Sequence, residues 1–394
     1  MFKIQTLNKI SSRGLELLPH DTYEYASEII NPDAILVRSQ NMLDMELPLS
    51  LRAIARAGAG VNNIPVDKCS EKGIVVFNTP GANANAVKEL VLLGLLISSR
   101  RVFQGITWAK SLAGKGADVG KLIEKGKSNF EGPEITGKKL GVIGLGAIGV
   151  MVANDAEALG MEVYGFDPFM SIDAAWGLSR TVKRAVSIDS LIAESDYITI
   201  HVPLNDSTRE KINKDKFGLM KKGVRILNFA RGEIVNTKDM IEAINNGIVD
   251  AYVTDFPTDE LLQLDKVIPI PHLGASTPES EENCAIMAVN QTRDYLENGN
   301  IKNSVNFPEC FLPPSGTQRI TIANKNVPNM IGQITPVLAQ ANINIADMLN
   351  KSKKEYAYNI IDIDGAVEEK VIEKLKAIEG VIMVRILENS SAQL

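Results

Sequence analysis

Cysteine is scarce in this chain: Cys69, Cys284 and Cys310 are the three among 394 residues. Few, odd in number and far apart, they fit neither a disulfide framework nor a zinc site. No metal is expected, and a reducing, cytoplasmic compartment is the natural reading. Positive charge is not in excess either. A formal net charge of −6 argues against nucleic acid or an anionic membrane as a general partner. An anionic ligand must then be held by a local cluster of donors. Long hydrophobic runs are missing too. The longest, LVLLGLLI at residues 90–97, is too short to span a bilayer and is flanked by Lys88, Glu89, Arg100 and Arg101. The opening MFKIQTLNK lacks the basic-then-apolar order of a signal peptide. What is present suits a soluble globular protein of two or three domains, 45% hydrophobic and 23% charged.

Short apolar runs alternate with amphipathic stretches, as buried parallel strands alternate with crossover helices. In residues 1–82 the strands are AILVRS, RAIARAG and GIVVFNT, and a long helical pattern then runs from Asn83 to about Lys110. A second strand series reads KLGVIG, EVYGFD, YITIHV, VRILNF and DAYVTDF. PESEENCAIMAVNQTRDYLENG, from Pro278, is another amphipathic helix. NFPECFLPPSG, residues 306–316, breaks the pattern at Pro313 and Pro314 and places a linker at about 309–317. Residues 318–394 then read strand, helix (about 329–341), strand, strand, helix, strand, the order of a split βαβ sandwich. The expected class is α/β, with two doubly wound parallel sheets and a small C-terminal βαββαβ module.

KLGVIGLGAIG sets Gly144, Gly146 and Gly149 between a strand and a helix. The first glycine permits the tight turn, the second lets backbone approach a pyrophosphate, and the third lets helix and strand pack closely. The helix N-terminus offers unpaired N–H groups to phosphate. Asp167, 18 residues past Gly149, ends the next strand, where a carboxylate accepts hydrogen bonds from the adenosine ribose. Pro168 and Phe169 follow it, not an arginine, so NAD is expected over NADP.

Three strand ends then carry charged or titratable groups: Arg231 in NFARGEIV, Glu260 in TDFPTDE and His272 in VIPIPHLGAST. In a doubly wound sheet such ends converge on the ligand crevice. The set suits oxidation of a 2-hydroxy acid, which needs a base for the hydroxyl proton and a grip for the carboxylate. Histidine titrates near neutral pH, a carboxylate beside it favours the protonated ring, and arginine grips carboxylates with a planar fork. Singly, each has an ordinary alternative: a surface ion pair for Arg231, a solvated loop charge for Glu260, a structural histidine for His272, a turn cap for Asp255. In the first part of the chain, Arg38 in ILVRSQ and Arg56 in RAGAGVNNIP suggest a second anionic group, a phosphate, on the substrate. Backbone N–H groups at Ala59, Gly60 and Val61 are candidates for its carboxylate.

GLGAIG, NFARGEIV and PHLGAST resemble the signatures of the D-isomer-specific 2-hydroxyacid dehydrogenases, and the resemblance covers nearly the whole chain. It implies a split substrate-binding domain, residues 1–98 with a return at about 290–308, around an inserted NAD-binding domain, residues 99–289. It gives Arg231, Glu260 and His272 the catalytic roles. It carries over cofactor contacts at Ala147, Ile148, Asp167, Val202, Phe229, Ala230, Arg231, Asp255, His272, Leu273, Gly274 and Ala275. The family usually has an aromatic where Pro257 stands. His201 matches a non-catalytic position. The substrate implied is a small phosphorylated hydroxy acid. The alternatives are an enzyme of the same fold acting on hydroxypyruvate or D-lactate, and an NAD-sensing interaction protein.

The tail resembles an ACT domain, a module that commonly pairs side by side and binds an amino acid at the seam. The resemblance implies a homodimer or homotetramer with L-serine as effector. Asn324 and Asn326 after the first strand, and Asn344 opening the second, are the candidate contacts, since amides donate to a carboxylate and accept from an ammonium. Asn329 stands where such loops usually have glycine, a change tolerated where φ is positive.

Overall fold

The computed structural model describes residues 1–388. It divides into two compact units, Met1–Ala82 together with the chain from Glu281 onward, and Asn83–Ser280. These divisions fall earlier than the sequence suggests. The helix Ala84–Ser99 belongs to the second unit because Val87, Val91 and Leu95 are buried with Val142, Leu227 and Val253. Gly94 permits this approach: a Cβ there would stand 2.8 Å from a Leu227 methyl. The long helical pattern is also two helices. Arg101, at φ 25°, ends the run, and Val102–Ser111 departs at 68° from Ala84–Ser99. The segment carrying Gly132 crosses this helix end so closely that a Cβ on Gly132 would overlap the Ser99 carbonyl oxygen.

In the first unit, β1 (Phe2–Leu7), β2 (Tyr23–Ala26), β3 (Ala34–Val37), β4 (Ala53–Arg56) and β5 (Val75–Phe77) form a parallel sheet in the order β2-β1-β3-β4-β5. Successive side chains point to opposite faces, and both faces are covered. Ile35, Val37, Ile54 and Val76 join one core, and Leu36, Ala53, Ala55, Val75 and Phe77 the other. That is why these strands read as unbroken apolar runs.

In the second unit, β6 (Lys139–Ile143), β7 (Glu162–Phe166), β8 (Lys183–Arg184), β9 (Tyr197–Ile200), β10 (Val224–Asn228), β11 (Val249–Thr254) and β12 (Val267–Pro269) are parallel, in the order β12-β11-β10-β9-β6-β7-β8. The order reverses between β6 and β9, so the ends of these strands form the crevice where doubly wound sheets bind ligands.

The tail is βαββαβ, as expected. Strands β13 (Gln318–Lys325), β14 (Asn344–Lys353), β15 (Tyr356–Asp364) and β16 (Val381–Glu388) form an antiparallel sheet ordered β14-β15-β13-β16. Helices Met330–Gln340 and Glu369–Lys376 cover the face carrying Ile320, Ile322, Ile361 and Ile363. On the other face Ala323, Tyr358 and Ile360 share a core with Phe77, Val289 and Tyr295, so within the first unit this module is packed, not tethered.

That seam is polar, and its largest buried side chain is matched. Arg319, wholly buried, donates from Nε and Nη2 to the Asp362 carboxylate at 2.6 and 2.8 Å. It also donates to the Asn298 and Leu312 carbonyls. Arg385 donates to the Tyr295 and Leu296 carbonyls, and the Tyr358 hydroxyl to that of Gly299. The last carbonyls of the helix Pro278–Asn298 have no partner within the helix. The tail sheet supplies partners to those of Tyr295, Leu296 and Asn298.

Candidate active site

The glycine turn of the second unit follows from local sterics. Gly144 has φ 92°, and a Cβ there would come within 2.6 Å of the His201 carbonyl oxygen. A Cβ on Gly149 would overlap the Gly144 oxygen, whereas one on Gly146 would meet nothing within 4 Å. Gly146 therefore faces open space at the start of the helix Ala147–Ala158, which has no side-chain cap. The amides of Ala147, Ile148 and Gly149 are left for an anion, a cradle that fits a dinucleotide pyrophosphate. Asp167 ties this turn to the end of β7. Its carboxylate accepts from Leu145 N at 2.9 Å and Phe169 N at 2.8 Å. Val202 packs against the turn, and the Phe229 ring is buried in the core, so Phe229 offers a ligand only backbone.

His201 is a structural histidine. Its Nε2 lies 2.9 Å from Thr199 Oγ1, and burial pushes its pKa down from 6.5 to about 3. It is neutral at physiological pH, in keeping with the non-catalytic position it matches.

His272 is built differently. It is exposed, with φ 51°, a conformation that costs a non-glycine residue about 1 kcal/mol or more. The surrounding turn enforces it. His272 N donates to the Ile270 carbonyl at 3.0 Å. The buried Asp255 carboxylate accepts from Leu273 N at 2.8 Å and Gly274 N at 3.0 Å. A Cβ on Gly274 would press against Asp255 Oδ2 at 3.1 Å. The small residues after His272 are thus explained by a carboxylate beneath the turn. Ala275, half-buried, completes it.

Arg231 is exposed after β10, with Nη1 on the Ala230 carbonyl. Asn228 organises this corner, accepting from Ala230 N and donating to the Arg231 carbonyl. Glu260 differs from the expected arrangement. Its carboxylate is exposed, accepts from Thr258 Oγ1 at 3.1 Å and has no ion pair with His272 among the described residues. The group that does meet the His272 ring is Phe256, at 4.8 Å between centroids. Sequence reasoning passed over Phe256; the signal was an aromatic next to Pro257, one position from where the family carries one.

In the first unit, Arg56 Nε donates to the Arg38 carbonyl and Nη1 to the Gly60 carbonyl. Asn78 holds the Ala59 carbonyl. Arg56 is therefore a clamp on the glycine-rich loop, a role the sequence did not suggest. The amides of Ala59, Gly60 and Val61 donate to no group among the described residues. Arg38 forms an ion pair with Glu281 at 2.7 Å, with both side chains substantially exposed.

The three tail asparagines do not form one cluster. Asn324 is buried, and its Oδ1 accepts from Asn359, which in turn accepts from Asn350. Asn326 donates to the Lys354 carbonyl and Asn344 to Asp364. Asn329 has φ 65°, the left-handed conformation expected of it. The cysteines are free and buried, and no group of metal-ligating side chains occurs among the described residues. No single helix among them is long and apolar enough to cross a membrane.

The model of the D-isomer specific 2-hydroxyacid dehydrogenase NAD-binding domain matches residues 95–274, which carry the glycine turn, Arg231 and His272. The chain belongs to this family of NAD-dependent oxidoreductases. Among its relatives, D-3-phosphoglycerate dehydrogenase of Haemophilus influenzae is 31% identical over 366 residues, covering 89% of this chain and 85% of that protein. The Escherichia coli enzyme of the same name is 32% identical over 341 residues, covering 83% and 79%. The NAD+-bound 3-phosphoglycerate dehydrogenase of Entamoeba histolytica superposes with a TM-score of 0.60 at 25% identity, covering 79% of this chain and 99% of that one. A glyoxylate reductase from Paecilomyes thermophila gives 0.62 at 26%, covering 77% and 98%.

Proposed function

We propose that this chain is an NAD-dependent D-3-phosphoglycerate dehydrogenase, oxidising 3-phospho-D-glycerate to 3-phosphohydroxypyruvate on the route to serine. The observation that carries this reading is the likeness to enzymes of that name over most of both chains. NAD, when bound, accepts the C2 hydrogen with its electron pair. The chain's own groups do the rest. Gly144, Gly146 and the amides of Ala147 to Gly149 hold the pyrophosphate, and Asp167 meets the ribose and disfavours a 2′-phosphate. His272 takes the C2 hydroxyl proton in oxidation and returns it in reduction. Arg231, exposed with donors to spare, grips the carboxylate and polarises the C2 oxygen. Asp255 holds the His272 turn through two amides, and Glu260 supplies the carboxylate that favours the protonated His272 ring during turnover. The amides of Ala59, Gly60 and Val61, on the loop clamped by Arg56, serve the substrate carboxylate, and Arg38 and Arg56 its phosphate. We place the enzyme in the cytoplasm as a homodimer or homotetramer. Its tail modules pair through the exposed edge strand β14, with L-serine held near Asn326 and Asn344. The test is NADH oxidation with 3-phosphohydroxypyruvate by the wild type and His272→Asn. Turnover should fall about 10²–10⁴-fold with NADH binding intact. Turnover close to wild type would refute the acid–base assignment.

A further inference from the structure

We infer that Phe256 is a positioning residue that sets the His272 ring and the Arg231 guanidinium for reaction, an inference that rests on the roles proposed above. The backbone at His272 is pinned by Asp255, but that does not fix the imidazole. Neither ring nitrogen has a hydrogen-bond partner among the described residues. The ring meets one aromatic neighbour, Phe256, at 4.8 Å and 56° between planes. Arg231 Cζ lies 5.9 Å from the centroid of the same phenyl ring. One phenyl ring therefore touches both groups assigned to the reacting oxygen and carboxylate. Its face attracts positive charge, which suits a guanidinium on one side and an imidazole that becomes cationic on the other.

Phe256 is itself held where this requires. Its N–H donates to Thr254 Oγ1 at 3.1 Å, at the end of β11. Asp255 immediately before it accepts from the amides after His272. Two consecutive residues thus fix the backbone and the ring of His272 separately. Gly232 leaves space for the phenyl group: a Cβ there would stand 3.2 Å from Phe256 Cβ. The ring also borders an open cleft of about 640 Å³ with Gly232, Tyr252 and Pro257, so the core does not wedge it in place.

The experiment compares Phe256→Ala, Phe256→Leu and Phe256→Tyr with His272→Asn, each checked for thermal unfolding and NADH affinity. Small misplacements of a reacting group lower turnover steeply, so Phe256→Ala should lower kcat about 10–100-fold, with NADH affinity unchanged. Phe256→Tyr should stay within about threefold of wild type, and Phe256→Leu, similar in bulk but without a ring face, should remain about tenfold down. The primary deuterium isotope effect from labelled NADH should rise in the Ala and Leu variants as hydride transfer becomes limiting. Wild-type kcat in Phe256→Leu overturns the inference, and does so whether or not Phe256→Ala folds. If His272→Asn is inactive while Phe256→Leu is normal, only this inference fails. If His272→Asn turns over normally, the acid–base reading fails and takes the inference with it.

Discussion

Arg319 and Arg231 occupy opposite environments. Arg319 is wholly buried on β13, and all three of its nitrogens meet acceptors. Arg231 is exposed after β10, with one hydrogen bond to its neighbour's carbonyl and a phenyl ring at 5.9 Å. Saturation matters for a buried guanidinium, because an unmatched buried charge costs several kcal/mol. An exposed one can keep donors for a ligand. The two histidines also differ: His201 is held neutral with Nε2 on Thr199 and Nδ1 unpartnered, whereas His272 is exposed with its ring nitrogens unbonded. Arg319 spends its donors on the fold, and Arg231 keeps donors where we place the chemistry.

The sharpest way to break the contrast is at Arg319. Arg319→Met leaves Asp362 buried without its partner and should cost about 3–5 kcal/mol of unfolding free energy in urea. Arg319→Met with Asp362→Leu should recover part of it, because the uncompensated charge is gone while the Asn298 and Leu312 carbonyls still lose their donor. A single variant as stable as the wild type would show that the seam is not saturated by necessity.

Arg38→Ala tests the exposed side. A charged hydrogen bond is worth about 1.5–3 kcal/mol, so kcat/KM should fall about 10–150-fold for 3-phosphohydroxypyruvate and far less for hydroxypyruvate. Equal losses would return Arg38 to its ion pair with Glu281 alone. Glu260→Gln removes the negative charge assigned to favour the protonated His272 ring and should lower kcat about tenfold, the worth of about 1.4 kcal/mol. A kcat equal to wild type would point to a different carboxylate.

A further effect concerns pH. Burial depresses the folded pKa of His201 from 6.5 to about 3. Between those values the unfolded chain binds a proton that the folded chain does not, so stability falls as pH drops below about 6.5. His201→Gln should flatten this dependence by up to about 1.4 kcal/mol per pH unit, measured by urea unfolding at pH 7 and pH 5. Parallel profiles would remove His201 from the acid response.

The sequence made some of this plain and hid the rest for physical reasons. The glycine turn was legible because Gly144 and Gly149 each answer a local steric demand. His272 was legible through the small residues behind it, although the carboxylate that requires them, Asp255, lies 17 positions earlier. Parallel strands announced themselves because both faces are buried. The clamp made by Arg56 was hidden, since composition does not distinguish an arginine facing a carbonyl from one facing an anion. The amide chain Asn324–Asn359–Asn350 needs the register of β13, β15 and β14, which no local pattern encodes. The break at Arg101 depends on a segment some 30 residues away crossing the helix end. Phe256 was missed because its role is a contact between rings on different strand ends.

Solved structures similar to this fold include both a 3-phosphoglycerate dehydrogenase and a glyoxylate reductase, so architecture alone does not choose the substrate. The direct measurement is the wild-type kcat/KM with NADH for 3-phosphohydroxypyruvate, hydroxypyruvate and glyoxylate under one set of conditions. The account predicts that the phosphorylated compound is preferred by about 10–150-fold, the worth of one charged hydrogen bond or more. Equal rates, or a preference for hydroxypyruvate or glyoxylate, would contradict it.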